Sequence, residues 1–221
     1  MKTIAIHQPG YIPWLSFFDK IKNSDEFVFL DDVQFEKNGW QNRNKIRTSD
    51  GSTWLTVPVH AHLNLKLNEI KIDYTQNWVE KHKKSLIINY SKSEFFNNNW
   101  HELESVYDKK FDTLIDLNLE IILVLQKKFN IKTKTILASE FSITSKGTER
   151  IIDICNELDA DTYYSGHGLP DKKYLNEESL LKNNIKIKLQ NYNHPEYSQN
   201  YHSFIPNLSS LDFLFNTGKI L

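Results

Sequence analysis

The 221-residue sequence predicts an α/β fold: a Rossmann-like parallel sheet flanked by helices, with an inserted antiparallel β-hairpin region. Three observations carry that expectation. A β-branched run at the N-terminus and an apolar run soon after it are joined by one short helical segment, which is how a parallel sheet begins. The last third of the chain alternates short strands with amphipathic helical segments. Between these parts lies a stretch with an Asp-Gly turn signal between two β-rich runs, the mark of a hairpin.

Taken in order, Lys2 to His7 (KTIAIH) reads as the first strand, Gln8-Pro9-Gly10 breaks it, and Tyr11-Ile12-Pro13-Trp14 leads into a helix over Leu15 to Ile21. The run Glu26 to Leu30 is apolar enough for a buried strand and ends in Asp31-Asp32. Ligands of such sheets lie at the carboxyl ends of the strands, so His7, Gln8, Asp31 and Gln34 are expected on one rim. Asp50-Gly51 centres a hairpin between Lys45 and Val57, and the alternation in Leu65 to Tyr74 suggests a third strand beside it. This excursion covers about residues 42–74 of a chain read as one domain, 1–221.

Two helices are expected next, Trp78 to Asn89 and His101 to Phe129, with Asn97-Asn98-Asn99 as a surface loop. Thr135 to Ala138 suits a strand. Ser142 to Arg150 opens a helix whose body is Ile151 to Leu158, with several hydroxyls available as caps. Thr162 to Tyr164 is a strand that breaks at Ser165-Gly166-His167-Gly168. A helix near Ser179 to Lys182 leads to a strand over Ile185 to Leu189, and an irregular tail ends in an amphipathic segment, Leu208 to Phe215.

Composition narrows the function. Lys plus Arg total 27 against 28 Asp plus Glu, so no positive field draws the chain to nucleic acid. Cys155 is the single cysteine, which rules out an internal disulfide, and no secretory signal is evident, so a reducing cytoplasm is expected. The longest apolar stretch, Leu117 to Leu125, is interrupted by Asn118 and Glu120 and falls short of the ~20 residues that span a bilayer. Ten Tyr and five Trp suit clefts that grip planar or sugar rings.

Four stretches hold residue types that could carry chemistry. His7 closes the first strand before a rigid loop and a helix start, where an imidazole can move a proton and backbone amides can hold phosphate; the position is like that of nucleotidyltransferase-type Rossmann domains, but their second histidine is missing. Asp31 can bind Mg²⁺ or a sugar hydroxyl, and Arg43, with Asn44 beside it, can clamp a phosphate; a plain ion pair is the alternative. Ser165-Gly166 permits close backbone approach to a ligand, or is simply a tight turn. His194, Tyr197 and Gln199 sit in an irregular loop that serves as a lid or is strapped down by Phe204 and Phe213. His60 and His62 face one side of a strand without an obvious third ligand, so no metal site is expected. Glycine-rich dinucleotide, P-loop, serine-hydrolase and zinc motifs are all missing. Cys155 is expected to be buried on its helix.

IHQPGYIPW at the start, FLDDVQFEKNGWQNRNKI next, YYSGHGLPDKKYL late and HPEYSQNYHSFIPNLSSLDFLFNTG at the end together resemble the WbqC-like proteins of bacterial surface-polysaccharide gene clusters, in the right order and over nearly the whole chain. The resemblance implies work on a nucleotide-linked sugar, with acyl or aminoacyl transfer to an amino sugar as the expected reaction; separately from the resemblance, a homo-oligomer is one state the chain can adopt. His7 and Asp31 are then the expected catalytic residues, and Gln8, Tyr11, Gln34, Arg43, Asn44, Ser165, Gly166, His194, Tyr197 and Gln199 the expected substrate contacts. An acyl adenylate intermediate implies ATP and Mg²⁺. The alternatives are a non-catalytic sugar-nucleotide-binding protein of the same pathway and a small glycosyltransferase; for the latter, Asp31-Asp32 and Asp159-Ala160-Asp161 are the nearest approaches to a DxD motif.

Overall fold

The structure, a computed structural model, describes residues 1–61, 64–166 and 175–221. Its strands are β1 (Thr3–His7), β2 (Glu26–Phe29), β3 (Arg43–Thr48), β4 (Gly51–Thr56), β5 (Val59–His60), β6 (Lys71–Ile72), β7 (Lys134–Leu137), β8 (Thr162–Ser165) and β9 (Lys186–Leu189). The helices are α1 (Leu15–Lys22), α2 (Trp78–Tyr90), α3 (Phe96–Tyr107), α4 (Leu114–Lys128), α5 (Gly147–Glu157), α6 (Glu177–Lys182) and α7 (Ser210–Thr217). They fall into two compact units: residues 1–8, 19–32 and 132–193 in the first, and 9–18, 33–131 and 194–221 in the second.

The first unit is the expected α/β layer structure. Its five-stranded sheet runs β7-β2-β1-β8-β9 with every pairing parallel. Counted along the chain this is the order 3-2-1-4-5, in which the direction of winding reverses beside β1. Ile4, Ile6, Val28 and Tyr163 of the sheet pack on Ile152, Cys155 and Leu180 of the flanking helices, and complete burial of each large apolar side chain is worth roughly 1.5–3 kcal/mol. Lys20 is buried beneath the sheet, where its ammonium donates to the Ile6 carbonyl at 3.0 Å.

The second unit holds the β3–β4 hairpin, the short β5–β6 pair and helices α2, α3, α4 and α7. Thr48 pairs with Gly51, so the hairpin turns on Ser49-Asp50; Gly51, just past the turn, takes φ +125°, a conformation that strains any residue with a Cβ. In this unit the C-terminal tail is tied to the hairpin by buried polar groups. Arg47, only 2% exposed, donates to the carbonyls of Thr48, Gly51, His202 and Ser203, while its backbone N–H donates to the Tyr90 hydroxyl. The Tyr90 hydroxyl in turn donates to Asp212 on α7 at 2.8 Å.

Several expectations are corrected here. The span His101 to Phe129 is two helices, α3 and α4, because Thr113 caps a fresh start by accepting from the Asp116 N–H. Asn97-Asn98-Asn99 lies in the first turn of α3, with Asn99 buried, and is not a loop. Leu65 to Tyr74 adds no strand to the hairpin: Leu67–Glu69 is a 3₁₀ turn that buries Leu67, and β6 pairs with β5 in a separate sheet. Among the described residues no hydroxyl caps α5; its N-terminal boundary is Lys146, and Ser145 donates to Asp153 instead. His62 and His167 to Tyr174 lie outside the described residues, so the His60/His62 pair and the second half of the late loop have no structural counterpart here. Cys155 is buried, as expected.

Candidate active site

Because every pairing in the sheet of the first unit is parallel, the exits of all five strands share one edge. His7 ends β1 opposite Phe29 of β2, and the Leu30 N–H donates to the His7 carbonyl at 2.9 Å, so Asp31 follows directly beside it. On the other side of β1, Ala5 pairs with Tyr164, which sets Ser165 level with Ile6. Gln190 closes the row by donating its N–H to the Ser165 carbonyl at 2.8 Å. His7, Asp31 and Ser165 are thus brought to one rim, with Gln8 and Gly166 next to them in the chain.

The chemistry differs at each position. The His7 ring is half-buried, and its Nδ1 lies 2.8 Å from the Gln8 carbonyl oxygen. A carbonyl can only accept, so in the neutral ring the proton sits on Nδ1 and Nε2 is the acceptor nitrogen. Asp31 is 2% exposed and accepts from the Ser139 N–H at 2.9 Å, which fastens the loop after β7. Asp32 instead pairs with Arg150 of α5 at 2.6 Å. With one carboxylate buried against a backbone amide and the other held by a guanidinium, the acidic pair does not fit a Mg²⁺ site. Among the described residues no cluster of three or more His, Cys, Asp or Glu could hold a metal ion.

Ser165 supplies a different signal. It is 1% exposed, and its hydroxyl has no hydrogen-bond partner among the described residues. A buried hydroxyl is costly unless it is bonded, and no partner for this one is found among the described residues. Below the rim, Asp19 of α1 accepts from Gln190 at 2.7 Å and from the Tyr164 hydroxyl at 3.4 Å. Burial, with the Asp19 charge beside it, pushes the Tyr164 phenol up to about 12. Ser139, Arg150, Gln190 and Asp19 escaped sequence reasoning, since each is recognisable only through a partner distant in the chain.

The remaining expected residues belong to the second unit and do not form one cluster there. Tyr11 is fully buried, its hydroxyl bonded to Tyr107 at 2.6 Å and to His82 at 2.8 Å, so it braces the interior. Asn44 is also fully buried and donates to the Ile12 carbonyl at 2.8 Å. Tyr197 and Gln199 both donate to Asp212 at 2.8 Å, and Tyr197 packs on Phe204 and Phe213, which is the strapped-down tail. His194 stacks on Tyr197 in the same aromatic group and lies tilted 5.8 Å from Phe204. Gln34 is exposed and bridges to Lys66. Arg43 makes no ion pair with a carboxylate among the described residues; it donates to the Asn38 carbonyl and lies over the Trp54 ring. The start of α1 borders the tail, as Trp14 bridges to Ser209 and the Pro13 carbonyl accepts from the Ser210 N–H.

Comparison with known proteins agrees with the sequence motifs. A family model described as the WbqC-like protein family matches residues 8–220. The uncharacterized protein Rv1507c of Mycobacterium tuberculosis is 33% identical over 222 residues, which cover 99% of this chain and 95% of that protein. No solved structure matches.

Proposed function

The chain belongs to the WbqC-like protein family, and on that premise we propose that it is an enzyme of bacterial surface-polysaccharide biosynthesis that acts on a nucleotide-linked sugar. The observation that carries this reading is the shared rim of His7, Asp31 and Ser165, with a buried Ser165 hydroxyl that has no hydrogen-bond partner among the described residues. In the proposed reaction, acyl or aminoacyl transfer to an amino sugar, the sugar amine attacks the carbonyl of an acyl adenylate. The amide C–N bond forms as the acyl C–O bond to phosphate breaks and AMP leaves, and His7 Nε2 takes the proton lost by the amine. Ser165 and Gly166 bind the nucleotide sugar, Gln8 orients it, and Asp31 holds the rim in shape. ATP enters if the acyl group arrives as an adenylate, and no step is assigned to a protein-bound metal.

Two measurements test the proposal. A ligand that binds only the folded state raises stability by about 2.7 kcal/mol at a hundred times its dissociation constant, so UDP-glucosamine or another nucleotide sugar with a free amine should raise the melting temperature. The His7→Gln protein should keep that shift while losing turnover by about 100-fold or more, read as product from ATP, an amino acid and the amino-sugar nucleotide. Absence of any shift with nucleotide sugars sinks the proposal. A shift without turnover in the wild-type protein makes it a binding protein of the same pathway.

A further inference from the structure

The second unit carries a row of three indoles. Trp14 lies 5.5 Å from Trp40, and Trp40 lies 5.1 Å from Trp54. Trp40 and Trp54 are 44% and 38% exposed, whereas Trp78 and Trp100 are 4% and 6% exposed. Large aromatic rings are mostly covered in folded proteins, and neighbouring exposed ones mark contact sites. Two cations from the adjacent strand lie over the Trp54 ring, Arg43 at 4.4 Å and Lys45 at 5.0 Å from its centre. Neither is paired with a carboxylate among the described residues; the Arg43 guanidinium donates one hydrogen bond, to the Asn38 carbonyl, and its buried Nε has no hydrogen-bond partner among those residues.

The row is held in place rather than draped on the surface. The Tyr11 N–H donates to the Trp40 carbonyl at 3.3 Å, and a Cβ on Gly10 would come within 2.9 Å of that same oxygen. Asn118 donates to the carbonyls of Pro9 and Gln41, so the backbone before the Trp14 loop and the residue after Trp40 share one buried anchor. Ile12 sits at φ +39°, a strained value for a β-branched residue, and Asn44 fastens its carbonyl. Holding the rings in advance lowers the ordering cost of binding.

We propose that Trp40, Trp54, Arg43 and Lys45, with Trp14 behind them, form a subsite for a sugar ring that carries an anionic group. The C–H face of the ring packs on indole, and the guanidinium and ammonium, neither ion-paired among the described residues, hold the anion. This inference stands on the second unit alone and is independent of the reading of the rim. The anion has two sources, a sugar phosphate or the carboxylate of a uronic acid.

The test is titration of the ¹⁵N-labelled full chain with glucose 1-phosphate, glucuronate and glucose, following the five indole N–H signals. The expected result is movement of the Trp40 and Trp54 signals with an anionic sugar, while those of Trp78 and Trp100 stay in place. The R43Q/K45Q protein should bind the anionic sugar about tenfold more weakly and treat glucose as before. Its unmoved Trp78 and Trp100 signals report an intact fold. Response to the phosphate alone assigns a sugar phosphate, and response to glucuronate alone assigns a uronic acid. The inference is overturned if no indole responds, if glucose binds as well as either anion, or if the double variant binds unchanged. Any of these together with a retained nucleotide-sugar melting shift removes the platform and leaves the rim standing.

Discussion

At the scale of single residues, the second unit buries polar groups whose protonation is coupled to folding. His82 is enclosed with Tyr11 and Trp78, and burial lowers its pKa from 6.5 to about 4. The folded chain therefore refuses a proton that the unfolded chain accepts between those two values. Stability from neutral His82 is complete above pH 6.5 and declines as pH falls toward 4, by roughly 3 kcal/mol at the lower end. Denaturant melts at pH 7 and pH 5 should show this loss in the wild-type protein and a flatter dependence in His82→Gln. Equal slopes would mean that His82 is not the group responsible. Asp212 behaves in the opposite sense: burial raises its carboxyl pKa, against the hydrogen bonds from Tyr197, Tyr90 and Gln199 that lower it. Such a residue is illegible in the sequence, because an acid within Ser210-Leu211-Asp212-Phe213 on an amphipathic helix looks like part of a solvated face. Its three donors are scattered from Tyr90 to Gln199. His7, Asp31 and Ser165 were legible for the converse reason, as each follows directly from where a strand of a parallel sheet ends.

At the scale of elements, the sheet was readable because apolar runs bounded by breakers are local signals, whereas the break between α3 and α4 hides inside an apolar period that continues through it. Leu103, Val106, Leu114 and Leu125 are all buried, so the spacing alone suggests one helix. The overlooked signal is Thr113-Leu114-Ile115-Asp116, a capping pattern just before the second apolar run. In the structure the Thr113 hydroxyl accepts from the Asp116 N–H at 3.3 Å and donates to the Asp116 carboxylate at 2.6 Å. Lys127 and Lys128 occupy the last turn of α4, where positive charge suits the helix dipole. Replacing Thr113 by Ala should lower the urea-unfolding free energy by about 1 kcal/mol, and Thr113→Ser should restore most of it. If the Ala protein matched the wild type, the start of α4 would be fixed by packing of Leu114 and Leu117 alone. The hairpin was placed correctly but its centre shifted by one residue, since Gly51 serves the strand start and Ser49-Asp50 make the turn.

For the whole molecule, the decisive feature is that neither unit is continuous along the chain. Each is assembled from three segments, and residue 131 ends a segment of the second unit just before the return of the first. A fragment of residues 1–131 contains β1 and β2 but not β7, β8 or β9, so it keeps two of the five strands of the parallel sheet. It also lacks α7. Arg47 would lose the carbonyls of His202 and Ser203, which are 155 and 156 residues away, and Tyr90 would lose Asp212, 122 residues away. Arg47 keeps the carbonyls of Thr48 and Gly51 but loses the two acceptors on its other terminal nitrogen, an unmade charge-assisted bond that is costly in a buried setting, and a two-stranded parallel ribbon cannot hide its faces. The fragment is therefore expected to show no cooperative thermal transition and a collapsed amide spectrum, while the full chain melts cooperatively. A cooperative melt of the fragment would show that the tail and the late strands are dispensable to its packing. The same long separations require loop closure before the stabilising contacts form, which favours slow folding for the full chain.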